Sequence, residues 1–225
     1  MFKSKVRPLV IPQFEHARLA AKLASMWGNA HFDRPEIPFS SFIEGVALHD
    51  WQYSNFDNLS IGDISEAEWL SVMHQGIDLH FDDPIAEVIA KLHMMRLVRT
   101  PTSPTRKKIV EEFEACISSV VEQTGFSRDQ FEWADRITRF CDSLAFDFAF
   151  ERPTQDAIPV FAKTNDSDET SLAYEIKPDG IIKIDPWPFS APSFSGMITG
   201  YHLEGYPKTT TPKIIQYQIN PLLHT

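Results

Sequence analysis

The feature that most constrains this chain is a change of hydrophobic period at Arg152-Pro153. Before it, apolar residues recur at three- and four-residue intervals, as in helices that bury one face. After it, short stretches at 158–162, 172–177, 181–185, 197–203 and 213–219 alternate in the strand manner, and Pro178-Asp179-Gly180 reads as a turn between two of them. The sequence therefore predicts a mainly α protein. A helical bundle fills residues 1–152, and a small antiparallel β subdomain over 153–225 packs on it.

Within the first part the helix ends are marked. Leu9-Val10-Ile11 reads as a short strand. Phe14, Ala17, Ala20, Leu23, Ala24 and Trp27 form the stripe of a first helix from Gln13, which Gly28 stops. Ser41-Phe42-Ile43-Glu44 reads as a capping box opening a second helix, and Ser65-Glu66-Ala67-Glu68 as another. Asp83-Pro84 and Ser103-Pro104 place a cap before a first-turn proline. Gly125 closes the helix that Ser103 opens, and Ser127 opens the last one, which runs to about Phe150.

Composition excludes several classes. A net charge of −10 disfavours a protein that coats DNA or RNA, though not one with a small anionic substrate. No stretch approaches the roughly 20 apolar residues needed to span a bilayer, and the N-terminus lacks an apolar signal core. Cys116 and Cys141 stand in helices without Cys-x-x-Cys spacing, which suits reduced core thiols in a cytoplasmic protein. Gly-rich phosphate loops, Gly-x-Ser-x-Gly elbows and zinc-finger spacing are absent. The run Asn165-Asp166-Ser167-Asp168-Glu169 lacks the spaced ligands of a calcium loop and reads as a solvated turn.

What remains is a set of metal-ligand side chains on inward faces. The apolar run Gly45-Val46-Ala47-Leu48 ends in His49-Asp50. His49 follows Phe42 by seven and Val46 by three, so it faces inward. His16 lies on or beside the apolar face of the first helix, and Asp142 sits on the last. Imidazoles and carboxylates converging inside a helix bundle suit a divalent transition metal. Taken singly, each has a plainer reading. The histidines could bond backbone carbonyls, Asp50 could cap a helix, and Asp142 could pair with Arg136 or Arg139.

The order His16, His49-Asp50, Asp142 on a helical core resembles the HD superfamily of metal-dependent phosphohydrolases. Asp135, in Trp133-Ala134-Asp135-Arg136-Ile137, competes with Asp142 for the late aspartate. More narrowly, the chain resembles a bacterial family of uncharacterised, HD-like proteins. The resemblance rests on Gln13 and His16 with Trp27-Gly28, on His49 to Asp57, on Cys141 to Leu144 and on Asp185-Pro186-Trp187-Pro188-Phe189. Gln52, Tyr53 and Phe56 depart from that family's Gly and two Trp residues. The resemblance implies one divalent cation (Mn, Fe, Co, Ni or Zn), or two, on His16, His49, Asp50 and Asp142. It implies hydrolysis of a phosphoester in a nucleotide or another small phosphorylated metabolite. Asp57 and His93 are the candidates for general base or for orienting the ligands, and Arg18, Arg96 and Arg139 for neutralising phosphate. A di-iron oxidative enzyme and a catalytically silent binding module are the alternatives. His74 and His80 read as surface residues. Trp187 and Phe189 read as packing between domains.

Overall fold

A computed structural model describes residues 2–56, 64–152, 154, 157–164 and 168–222. The first elements are β1 (Phe2–Lys3), β2 (Leu9–Ile11), α1 (Gln13–Met26) and α2 (Phe39–Ala47). A 3-10 turn at Trp51–Phe56 follows. Next come α3 (Glu66–Gln75), α4 (Pro84–Val98), α5 (Pro104–Thr124) and α6 (Arg128–Phe150). The chain ends in β3 (Ile158–Phe161), β4 (Glu169–Ile176), β5 (Ile181–Asp185), β6 (Phe194–His202) and β7 (Pro212–Pro221).

Most helix ends form where their caps stand. The Ser65 backbone N–H donates to Glu68 Oε2 at 2.8 Å, and Ser65 Oγ accepts from the Glu68 N–H at 3.3 Å, a closed capping box. Asp83 Oδ1 accepts from the Ile85 N–H at 2.8 Å, and Ser103 Oγ from the Arg106 N–H at 3.2 Å. Gly125 ends α5 at φ +76°, a left-handed conformation that costs glycine little. The second helix is an exception. It starts at Phe39 behind Pro38, so Ser41 to Glu44 lie inside it and cap nothing.

Helix α4 is the hub. It packs against α2, α5 and α6, and it is buried almost all round. Its polar residues are enclosed as well. Lys91 Nζ donates to Glu87 Oε1 at 2.7 Å and to the Ile77 carbonyl at 2.9 Å, so this buried pair is internally compensated.

The fold class differs from the one expected. About 49% of the described residues are helical and 20% are in strands, and the strands form one curled mixed sheet in the order β1-β2-β6-β7-β5-β4-β3. This is an α/β protein, not a mainly α bundle with a small antiparallel β subdomain. Two pairings make the difference. The N-terminal β2 joins β6, with Leu9 opposite His202, so the first residues of the chain extend a sheet made by the last. Strand β7 runs parallel to β5, with Ile182 opposite Ile219, while it is antiparallel to β6. Period-two alternation locates a strand but not its partner, and residues 2–11 are too short to show a period.

The sheet is stitched to the helices. Tyr174 on β4 donates to Asp147 Oδ2 on α6 at 2.7 Å, and the Thr199 N–H on β6 donates to Glu15 Oε2 on α1. The Pro-Trp-Pro-Phe element closes the end of α1. The Gly28 N–H donates to the Pro188 carbonyl at 2.9 Å, and Phe189 is buried edge-on to Trp27. Among the described residues, no helix is long and apolar enough to cross a membrane.

Candidate metal centre

Four elements bring ionisable side chains to one point. His16 comes from the buried face of α1. His49 and Asp50 stand beyond the end of α2, which stops at Ala47, in the turn before the 3-10 segment. That break in helical geometry lets two neighbours in sequence point into one core. His93 comes from α4 and Asp142 from α6.

The inner shell is tight. His16 Nε2 lies 3.3 Å from His49 Nε2, 3.2 Å from Asp50 Oδ2 and 3.5 Å from Asp142 Oδ1. His49 Nε2 lies 3.3 Å from Asp142 Oδ1 and 3.9 Å from Asp50 Oδ2. Ligands about 2.0–2.2 Å from a tetrahedral ion are about 3.3–3.6 Å apart, so His16, His49 and Asp142 stand at the spacing of one coordination shell, and Asp50 Oδ2 reaches it beside His16. The donor set, two imidazoles and two carboxylates, suits a divalent transition ion. His49 is oriented for the role. Its Nδ1–H donates to the Val46 carbonyl at 2.6 Å, which leaves the Nε2 lone pair facing the shell. His16 departs from that pattern, because its buried Nδ1 has no hydrogen-bond partner among the described residues.

His93 brackets the carboxylates from outside. Its Nδ1 accepts from Arg96 Nη2 at 2.9 Å, since a guanidinium only donates. Its Nε2 therefore carries the proton and donates to Asp50 Oδ1 at 3.2 Å. His93 Nδ1 also lies 3.5 Å from Asp142 Oδ2. Arg96 in turn bonds Asp135. Asp135 is thus the partner of an arginine, and Asp142 is the aspartate that reaches the histidines.

The electrostatics follow from burial and proximity. Burial works against a charged His49, but Asp50 and Asp142 outweigh it and raise the imidazole to about 9. Burial pushes Asp50 up, and the charges of His49, His93 and His16 outweigh it and hold it below the usual carboxylate value. Asp142 is held well below that value against the same burial, by the charge of His93 and hydrogen bonds from His16 and His49. His93 is lowered, chiefly by burial. A proton on His49 therefore occupies the place a cation would take.

Two groups could hold an ion among the described residues: His16, His49 and Asp142, and His49, Asp50 and His93. The cluster opens into a cavity of about 520 Å³ that reaches Asp50, His93 and Asp142. Arg96, Arg99, Arg139 and Arg152 also line it, with Tyr53 and Trp69 on one side. Trp69 Nε1 donates to the Tyr53 hydroxyl at 2.6 Å. Burial pushes the ionisation of that phenol far up, so its O–H stays a neutral donor. A larger groove, about 960 Å³, runs between the end of α6 and β7, away from both ligand groups.

Arg18 lies elsewhere. It pairs with Glu15 at 2.8 Å and donates to the Met197 carbonyl, so its guanidinium is engaged at the helix–sheet seam. Asp57 lies outside the described residues. His74 pairs with Glu112 and His80 with Glu87, both with exposed rings. Tyr53, Trp69, Arg99 and Arg152 are cavity residues that sequence reasoning did not single out. The only signal was the aromatic density after His49-Asp50, because Arg152 is brought in by the turn that ends α6.

No curated protein and no solved structure shows significant similarity to the chain. The family that matches is described as "Protein of unknown function (DUF3891)", over residues 2–204. That match and the mixed α/β fold replace the HD superfamily resemblance. The His, His-Asp, Asp order that suggested it is a short pattern, and any fold that converges three or four helices can produce it. With 203 consecutive residues matched, the chain belongs to the DUF3891 family.

Proposed function

We propose that this protein is a metal-dependent hydrolase acting on a small phosphorylated molecule. The observation that carries this reading is the buried shell of His16, His49, Asp50 and Asp142 atoms at ligand-to-ligand spacing, opening into an arginine-lined cavity. A single divalent transition ion (Mn, Fe, Co, Ni or Zn) fits these donors. The second candidate group shares His49 with the first, and the Nε2 proton of His93 is engaged on Asp50, which favours one ion over two. A bound ion of this kind supplies Lewis acidity, polarising a phosphoryl oxygen and making an adjacent water more acidic.

The protein's own groups do the rest. The arginines attract and orient an anion in a cavity whose walls are partly apolar. Tyr53 O–H remains available to a substrate oxygen because its own acceptor role is filled by Trp69. His93 Nε2–H holds Asp50 in place through Oδ1 and leaves Oδ2 facing the shell.

The test is elemental analysis of freshly purified protein beside His49→Ala, followed by a phosphatase and phosphodiesterase screen. About one transition metal per chain, absent from the variant, with phosphate release that a chelator stops, is the expected result. Less than about a tenth of an equivalent, with no rise after adding Mn²⁺ or Fe²⁺, overturns it.

A further inference from the structure

Helices α4 and α6 cross the site antiparallel. His93 meets Asp142, and three residues further along α4, Arg96 meets Asp135, seven residues earlier on α6. Arg139, one turn before Asp142, therefore stands on the same side of the cluster as Arg96. At the other end, Phe146 lies one turn past Asp142 and packs edge-on to His16, with ring centroids 5.5 Å apart. The Arg152 guanidinium sits 4.5 Å above that Phe146 ring. Cations thus flank the cluster along the cavity on both sides.

These cations are not equivalent. Arg96 is paired with Asp135, and Arg99 with Glu114 at 3.0 Å, a carboxylate it shares with Arg128. Arg139 and Arg152 have no carboxylate partner among the described residues, yet both line the cavity that reaches the ligand atoms. In a chain of net charge −10, two uncompensated guanidiniums facing one small cavity mark a place that attracts anions.

We propose that Arg139 and Arg152, one on either side of the cluster, each offer a guanidinium to an anionic group of the substrate beside the one at the cluster, so that the substrate is a phosphoester with at least one further phosphate or equivalent anion. This rests on the hydrolase reading for the identity of the first anion but not for the existence of the rim. Arg96, held by Asp135, positions His93; Arg139 and Arg152, being free, make the contacts to the ligand. A planar guanidinium grips a phosphate through two parallel N–H bonds, and the contact is worth more inside a walled cavity than on an open surface.

The experiment is calorimetric titration of the metal-loaded protein with orthophosphate and with pyrophosphate. Metal content is measured before and after, because pyrophosphate also chelates. The wild type binds pyrophosphate about tenfold more tightly or better. Arg139→Gln and Arg152→Gln, both at exposed positions, each reduce that preference, and together bring it to about threefold or less, while metal content stays unchanged. Equal affinity for the two anions in the wild type, or full retention of the preference in both variants, overturns the proposal. Chelated protein separates the two ideas. If it holds no metal when purified yet prefers pyrophosphate through Arg139 and Arg152, the anion rim stands and the metallohydrolase reading fails.

Discussion

His16 and His49 face each other Nε2 to Nε2 at 3.3 Å, at the centre of a buried shell with a carboxylate oxygen on either side. Because His49 donates through Nδ1, its Nε2 lone pair points at His16 unless a positive charge lies between. In the metal-free protein that charge is a proton, and His49 is raised to about 9 by Asp50 and Asp142 against the cost of burial. A metal must displace it. Apparent metal affinity should therefore rise by about tenfold per pH unit between pH 7 and about 9 and flatten above, as expected for release of one proton. Titration against a competing chelator across that range measures it. A flat profile below pH 9 would mean that the metal does not take the His49 lone pair.

The same shifts fix the stability of the metal-free protein. His49 has a folded-state value of about 9 against an ordinary 6.5, so its contribution is complete below 6.5 and is lost as pH rises through about 9. Asp50 and Asp142 are depressed below 3.8, so their contribution is complete above that value and is lost as pH falls through their lower folded values. His93 is lowered below its ordinary 6.5, so its contribution is complete above 6.5 and is lost as pH falls through its folded value. Urea denaturation of chelated protein should therefore show greatest stability near pH 6.5, declining toward pH 9 and on the acid side. Metal-loaded protein should keep its stability toward pH 9, because the ion replaces the proton. Equal decline in both forms would place the titrating group elsewhere.

Asp142 and Asp135 sit seven residues apart on α6, and the geometry separates them. Asp142 touches His16, His49 and His93, whereas Asp135 bonds Arg96. Asp142→Asn should reduce bound metal by at least about tenfold, since an amide is a poor ligand beside two imidazoles. Asp135→Asn should leave metal content within about twofold and act instead on turnover, by releasing Arg96 and with it the tautomer of His93. Elemental analysis of the two variants decides. Equal metal loss in both would mean that Asp135 ligates after rearrangement.

The inward placement of His16, His49, Asp50 and Asp142 was legible because helical period alone assigns a face. Their convergence was not, since no period says which faces meet. His49 shows the limit well. Its spacing from Phe42 and Val46 correctly points it inward, yet the helix has already ended at Ala47, and the turn is what turns Asp50 in beside it. His93 was visible as an inward polar residue, but its tautomer depends on Arg96, one turn on, and on Asp135 from another helix. Arg18 illustrates the converse, because a carbonyl from β6, 179 residues away, claims its guanidinium. The sheet was misread for a similar reason. Strands β3 to β7 alternate clearly, but β2 is three residues long, and the parallel pairing of β7 with β5 leaves no mark on either segment.

Gly45 offers a test of how closely the helices behind the site must approach. A Cβ at this position would lie 2.6 Å from Ile89 Cβ and 2.8 Å from the Ala86 carbonyl oxygen, both on α4. Alanine normally favours a helix over glycine by about 1 kcal/mol. Here it meets a backbone oxygen and a branched carbon that cannot swing aside, so overpacking should win at about 1–3 kcal/mol. The two helices would have to separate, and they carry His49 at the end of one and His93 on the other. Gly45→Ala should thus lower stability in urea by a net amount of up to about 2 kcal/mol. It should also weaken metal binding by more than a distant mutation of equal cost, such as one between β6 and β7. If stability rises instead, α2 and α4 have room to spare, and the glycine is there for another reason.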